Sequence, residues 1–123
     1  MSCLFNSLGK LLNKNGTEVR QEICEFMEKD GNICISNECE KIGEWIDMES
    51  NNHSNEYIQN MKNSSVWGGG IELRVVCELY NVDVIVKRGN QIVAHFEKDC
   101  NERLIELHWT GSHYTPISIS TVN

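Results

Sequence analysis

The chain has 123 residues, 40% of them apolar and 24% charged, with a net charge of -7. That length gives one domain with a single modest core, and the composition fits a soluble globular protein. An acidic chain repels phosphate, which argues against a nucleic-acid partner and favours a basic one, such as a substrate tail carrying arginine. No apolar run is long enough to span a membrane, and no signal-peptide pattern opens the chain, so a cytoplasmic location is expected. Frequent Asn and Ile fit an AT-rich genome, so for a viral or parasite protein that location is the host-cell cytoplasm.

In chain order, Leu4, Phe5, Leu8, Leu11 and Leu12 recur at helical spacing and predict a first helix that begins at Cys3. Thr17 is the expected cap of a second helix, whose stripe is Val19, Ile23, Phe26 and Met27 and whose end is a left-handed cap at Gly31. A third helix is expected from Glu38 to Met48, and a short fourth one capped by Ser54 and carrying Tyr57, Ile58 and Met61. "SSVWGGGIEL" removes side chains from three consecutive positions and leads into a fifth helix from Ile71 to Tyr80. The remainder reads as strands: "VDVIVK" and "QIVAHF" as a hairpin, then "LIELHW", then "HYTPISIS" with Pro116 at an edge or bulge. Helices first and sheet last predict an α+β domain, with the helices packed on a small, mainly antiparallel sheet.

The six cysteines form no CxxC pair, and without a secretory signal free thiols are expected. A zinc site on Cys34 and Cys39 with Cys24 or His53 is a minor alternative, because the spacing matches no closed-site pattern. Two residues at opposite ends carry more chemistry. Cys3 lies in the first turn of a helix, where unpaired N–H groups and the macrodipole favour a thiolate. His113 opens a strand after a glycine-containing turn, and an imidazole so placed is the usual partner of such a thiol.

"CLFNSL", "WGGGIEL" and "HYTPI", in that order, resemble the ovarian-tumour (OTU) family of cysteine proteases over nearly the whole chain. "TEVRQEICEFM" and "YNVDVIVKRGN" add to the resemblance. It implies one OTU-like domain over residues 1–123, a deubiquitinase that uses Cys3 as nucleophile and His113 as general base and then acid. The implied partner is ubiquitin, polyubiquitin or a ubiquitin-like modifier, with no membrane, no nucleic acid, no metal and no cofactor in the reaction. Trp67, Gly68 and Gly69 match the family's central motif, so support of the catalytic centre or of the substrate channel is implied for them. Trp109 and Tyr114 flank the histidine as channel-lining or packing aromatics.

Two positions depart from the pattern. Many family members carry Asp or Asn two residues after the histidine, on the same strand face, and here Thr115 stands there as the candidate third residue. Its hydroxyl can accept a hydrogen bond but cannot stabilise an imidazolium as a carboxylate does. Aspartate and glycine usually precede the cysteine, yet only Met1 and Ser2 do so here, leaving the N–H groups of Ser2 and Cys3 for the oxyanion hole. We expect a truncated form of a longer protein; the alternative is a catalytically impaired OTU-like module that binds ubiquitin. "KDGNIC" offers Cys34 as a rival nucleophile, but no amphipathic helix follows it.

Overall fold

The computed structural model describes residues 3–35, 38–98 and 102–121. Within them, five helices precede four strands: α1 (Cys3–Leu12), α2 (Gly16–Asp30), α3 (Ile42–Glu49), α4 (Ser54–Met61), α5 (Gly70–Tyr80), β1 (Val82–Arg88), β2 (Gln91–Phe96), β3 (Arg103–Trp109) and β4 (Tyr114–Thr121). The α+β expectation therefore holds. The sheet runs β2-β1-β3-β4, with β1–β2 and β3–β4 antiparallel and β1–β3 parallel. It is mixed but mainly antiparallel, and the parallel pair brings the last two strands in beside the hairpin.

Alternation along β1 buries Val82, Val84 and Val86, and β3 adds Ile105 and Leu107 to the same face. Leu4, Phe5 and Leu8 of α1, Val19 and Ile23 of α2, and Leu73, Val75 and Val76 of α5 complete one continuous core. Pro116 lies on the edge strand β4 beside the register shift at Glu106/Leu107, where its missing N–H costs no interior ladder bond.

Several local expectations change. The cap of α2 is Asn15, not Thr17: its side chain accepts from the Glu18 N–H, and the Glu18 carboxylate reaches back toward the Asn15 N–H. Gly31 is right-handed, at φ -61°. Its carbonyl accepts from the Gly43 N–H at 2.8 Å, and a Cβ here would meet the Met27 carbonyl at 2.7 Å, so crowding against the end of α2, rather than a left-handed cap, accounts for the glycine. The third helix starts at Ile42, and His53 caps α4 with Ser54 as its first residue. Cys34 and Cys39 are joined by a disulfide, against the expectation of free thiols. They are five positions apart, and the turn between α2 and α3 folds their Cα atoms to 4.4 Å. The strands match their sequence segments closely.

Candidate active site

Cys3 is the first residue of α1, half-buried and a free thiol. The N–H groups of that first turn have no intrahelical partners, so the Cys3 N–H is a free backbone donor by helix geometry. Ser2, the other candidate donor, lies outside the described residues.

His113 immediately precedes β4 and is exposed. Its backbone is pinned by the turn it closes. The His113 N–H donates to Thr110 Oγ1 at 3.1 Å, and the Thr110 N–H donates to the His113 carbonyl at 3.0 Å. Gly111, at φ +108°, supplies the left-handed backbone this turn needs.

A hydrogen bond brings the chain ends together. One turn beyond Cys3, the buried Ser7 hydroxyl donates to the carbonyl of Tyr114 at 3.1 Å. The Tyr114 hydroxyl is held above its usual range, first by burial and next by the charge of Cys3. Tyr114 in turn packs on Trp109, their ring centroids 6.5 Å apart, and the Arg88 guanidinium lies 5.4 Å from the Trp109 ring centroid. Both aromatics are half-buried in packing contacts.

Trp67 is not a core tryptophan: 46% of it is exposed, and its ring centroid lies 5.8 Å from that of His113 with the planes tilted by 36°. Gly68 explains how it gets there. A Cβ at this position would meet Phe5 Cζ at 2.8 Å and Leu4 Cδ2 at 2.9 Å, so only glycine lets the segment lie directly on α1 beside Cys3. At Gly69 the N–H donates to Glu72 Oε1 at 2.7 Å.

Thr115 is exposed and sits opposite His108 in the β3–β4 ladder. Among the described residues no hydrogen bond joins it to the His113 ring. Cys34, the rival nucleophile, has its sulfur in the disulfide and is not a free thiol.

Three further residues support the site: Arg20 and Ser7 escape the sequence reading, and Glu72 reads there only as an acid near the start of the fifth helix that suits its dipole. Arg20, almost fully buried, donates to the carbonyls of Met61 at 2.7 Å and Val66 at 2.9 Å and stacks over the Phe5 ring at 4.1 Å. It thus holds the chain just before Trp67 against α1. Glu72, 1% exposed, accepts from the Tyr57 hydroxyl at 2.7 Å as well as from Gly69, and burial pushes its carboxyl above the ordinary range despite those bonds. It locks α4 to the glycine segment, a larger role than complementing a helix dipole. Ser7 is the third. Ser7 and Arg20 interrupt apolar helix stripes, and a polar residue at a core-facing position is the signal that could have marked them.

The sequence profile of the OTU-like cysteine proteases matches residues 2–115, and the chain belongs to that family. Among curated proteins, the ubiquitin thioesterase Otu1 of Drosophila melanogaster is 26% identical over an alignment covering 98% of this chain and 33% of that protein. The chain thus spans about one third of that relative's length. Among solved structures, an OTU domain in complex with ubiquitin superposes with a TM-score of 0.77 at 17% identity, covering 99% of this chain and 70% of that one. The Hazara virus OTU bound to ubiquitin gives a TM-score of 0.66 at 20% identity, covering 99% and 76%. These structural likenesses concern the fold, which is that of OTU domains. No helix among the described residues is long and apolar enough to cross a membrane.

Proposed function

We propose that this chain is a thiol-dependent deubiquitinase that hydrolyses isopeptide or peptide bonds at the C-terminus of ubiquitin. One observation carries the reading: Ser7, one turn past Cys3 on α1, donates to the carbonyl of Tyr114, the residue after His113, so the helix start and the strand start lie side by side. In this mechanism the Cys3 sulfur attacks the scissile carbonyl carbon, its proton having passed to the His113 ring. The tetrahedral intermediate collapses as His113 returns that proton to the leaving amine, and a thioester on Cys3 remains. Water, deprotonated by His113, then attacks the thioester, and the Cys3 thiol leaves. The negative oxygen of each intermediate is served by the Cys3 N–H at the start of α1 and, in our reading, by that of Ser2. Trp67, Gly68 and Gly69 form one wall of the site, and Trp109 and Tyr114 back the histidine. The family resemblance implies a substrate tail that ends in two glycines, and an arginine on it suits the net charge of -7. Ubiquitin, named in the complexes of the structural relatives, is the substrate we assign.

The test is cleavage of ubiquitin chains by the wild type, Cys3→Ala and Cys34→Ala. Cys3→Ala is expected to abolish cleavage and Cys34→Ala to retain it; full activity in Cys3→Ala rejects the assignment. Thr115 favours a second reading, a catalytically impaired module that binds ubiquitin, because that position offers no carboxylate to His113. This reading predicts measurable ubiquitin binding without labelling of Cys3 by an electrophile attached to the ubiquitin tail.

A further inference from the structure

His113 is pinned through its backbone, yet its ring has no hydrogen bond among the described residues. The Cys–His mechanism nevertheless requires that ring to carry a positive charge each time it holds the cysteine's proton. Proteases of this kind commonly stabilise that charge with a neighbouring carboxylate or amide. Here the residue two positions on is Thr115, exposed and uncharged at its side chain. What does stand beside the ring is an indole. The Trp67 and His113 centroids are 5.8 Å apart, within the range over which a cation is attracted by an aromatic face. Their planes are tilted by 36°, nearer to stacked than to edge-on.

The indole is held there by deliberate packing rather than by burial of its own surface. Gly68 lies against Phe5 and Leu4 of α1, Arg20 grips the Val66 carbonyl, and Glu72 grips the Gly69 N–H. Those anchors flank Trp67 on both sides in sequence, while 46% of the tryptophan itself remains exposed. A tryptophan that served the core alone would not need to stand at the surface.

We propose that the face of Trp67 stabilises the imidazolium form of His113, supplying the charge stabilisation that Thr115 cannot. The inference rests on the Cys3–His113 reading above. Trp67 is in this account a positioning and electrostatic partner of His113, acting on the substrate only through it.

A double-mutant cycle separates this role from plain packing. The substrate is ubiquitin with a fluorogenic amide at its C-terminus, and kcat and KM are measured for the whole chain carrying Trp67→Leu, Trp67→Phe, Thr115→Asp and the combined changes. Trp67→Leu removes the π face, and a roughly three- to thirty-fold fall in kcat is expected with KM nearly unchanged. Trp67→Phe keeps a face and should stay within about three-fold of the wild type. In the Thr115→Asp background a carboxylate takes over, and Trp67→Leu should then cost about two-fold or less. An equal loss in both backgrounds overturns the proposal and leaves Trp67 as packing. If Trp67→Leu melts below the assay temperature, Trp67→Met and Trp67→Phe complete the cycle with the same expectations. Cys3→Ala, run alongside, isolates the parent reading: full activity there rejects the Cys–His pair, and this inference with it, whatever the cycle gives.

Discussion

The Ser7 hydroxyl donates to the Tyr114 carbonyl at 3.1 Å, across 107 positions of sequence, one helical turn past Cys3 and one residue past His113. This bond fixes the start of β4 to α1, the helix that begins at Cys3. It predicts that Ser7→Ala costs more in turnover than in stability. Leaving a partly buried carbonyl unpaired costs about 1–2 kcal/mol, which the fold can absorb. A shift of His113 by a fraction of an ångström costs roughly ten-fold or more in kcat, because proton transfer depends on the approach geometry. Chemical denaturation and hydrolysis of a ubiquitin C-terminal amide, measured on the same preparations, check the ratio. Turnover equal to wild type would show that the bond only stabilises.

Gly68 makes the corresponding prediction on the other side of the site. Its absent Cβ leaves room for Phe5 and Leu4, both buried in the core and unable to retreat freely. Gly68→Ala forces an overlap with both and is expected to destabilise by about 1–3 kcal/mol. The segment carrying Trp67 should also move away from His113. A lowered denaturation midpoint together with slower labelling of Cys3 by a ubiquitin-tail electrophile is the expected pair of results. An unchanged midpoint would mean that α1 yields at this contact.

Glu72 gives a dependence on pH whose sign follows from its surroundings. Burial pushes its carboxyl above the ordinary 4.5, and the bonds from Tyr57 and Gly69 and the charge of Arg20 reduce this rise without cancelling it. A carboxyl raised in the folded state binds its proton more tightly there than in the unfolded chain. Its contribution is therefore fully present below about 4.5 and is lost as pH rises through the folded-state value. Glu72→Gln removes this titration while keeping an acceptor for Gly69 and a hydrogen-bonding group for Tyr57. The difference in unfolding free energy, wild type minus variant, should fall as pH increases from 4 towards neutrality. A difference that rises instead would mean that Arg20 stabilises the ionised carboxylate beyond the cost of burying it.

The parts of this molecule that were legible in sequence are those set by local pattern. The period-two alternation of Val82, Val84 and Val86, and the helical spacing of Leu4, Phe5 and Leu8, are fixed by side chains near one another in the chain. The ordered fragments around Cys3, Trp67 and His113 pointed to the family, whose profile matches residues 2–115, and so to a candidate site. What the sequence could not show were pairings between distant elements. The bond from Ser7 to Tyr114, the grip of Arg20 on Val66 and the close approach of Gly31 to Gly43 depend on the packing angles of helices. The parallel pairing of β1 with β3 has no local signature either. Capping failed by two residues at Asn15 because Thr17 is equally suited chemically; only the path of the chain after α1 decides between them.

The cysteines supply the last prediction. Cys24 and Cys77 lie in the core, where burial pushes their thiols up to about 11 and about 12. Since the thiolate is the reactive form, at pH 8 only about one Cys24 in a thousand is ionised, and access is blocked as well. Cys3 is half-buried at a helix start and reachable. Cys34 and Cys39 are consumed in their disulfide. Brief treatment with iodoacetamide at pH 8 without reductant should therefore modify Cys3 and spare Cys24, Cys77, Cys34 and Cys39, as read by peptide mapping. Adding a reductant should bring in Cys34 and Cys39, which are exposed, and only denaturant should release Cys24 and Cys77. Labelling of Cys24 or Cys77 as fast as Cys3 in the native protein would mean that the core around α2 and α5 opens far more readily than its burial implies.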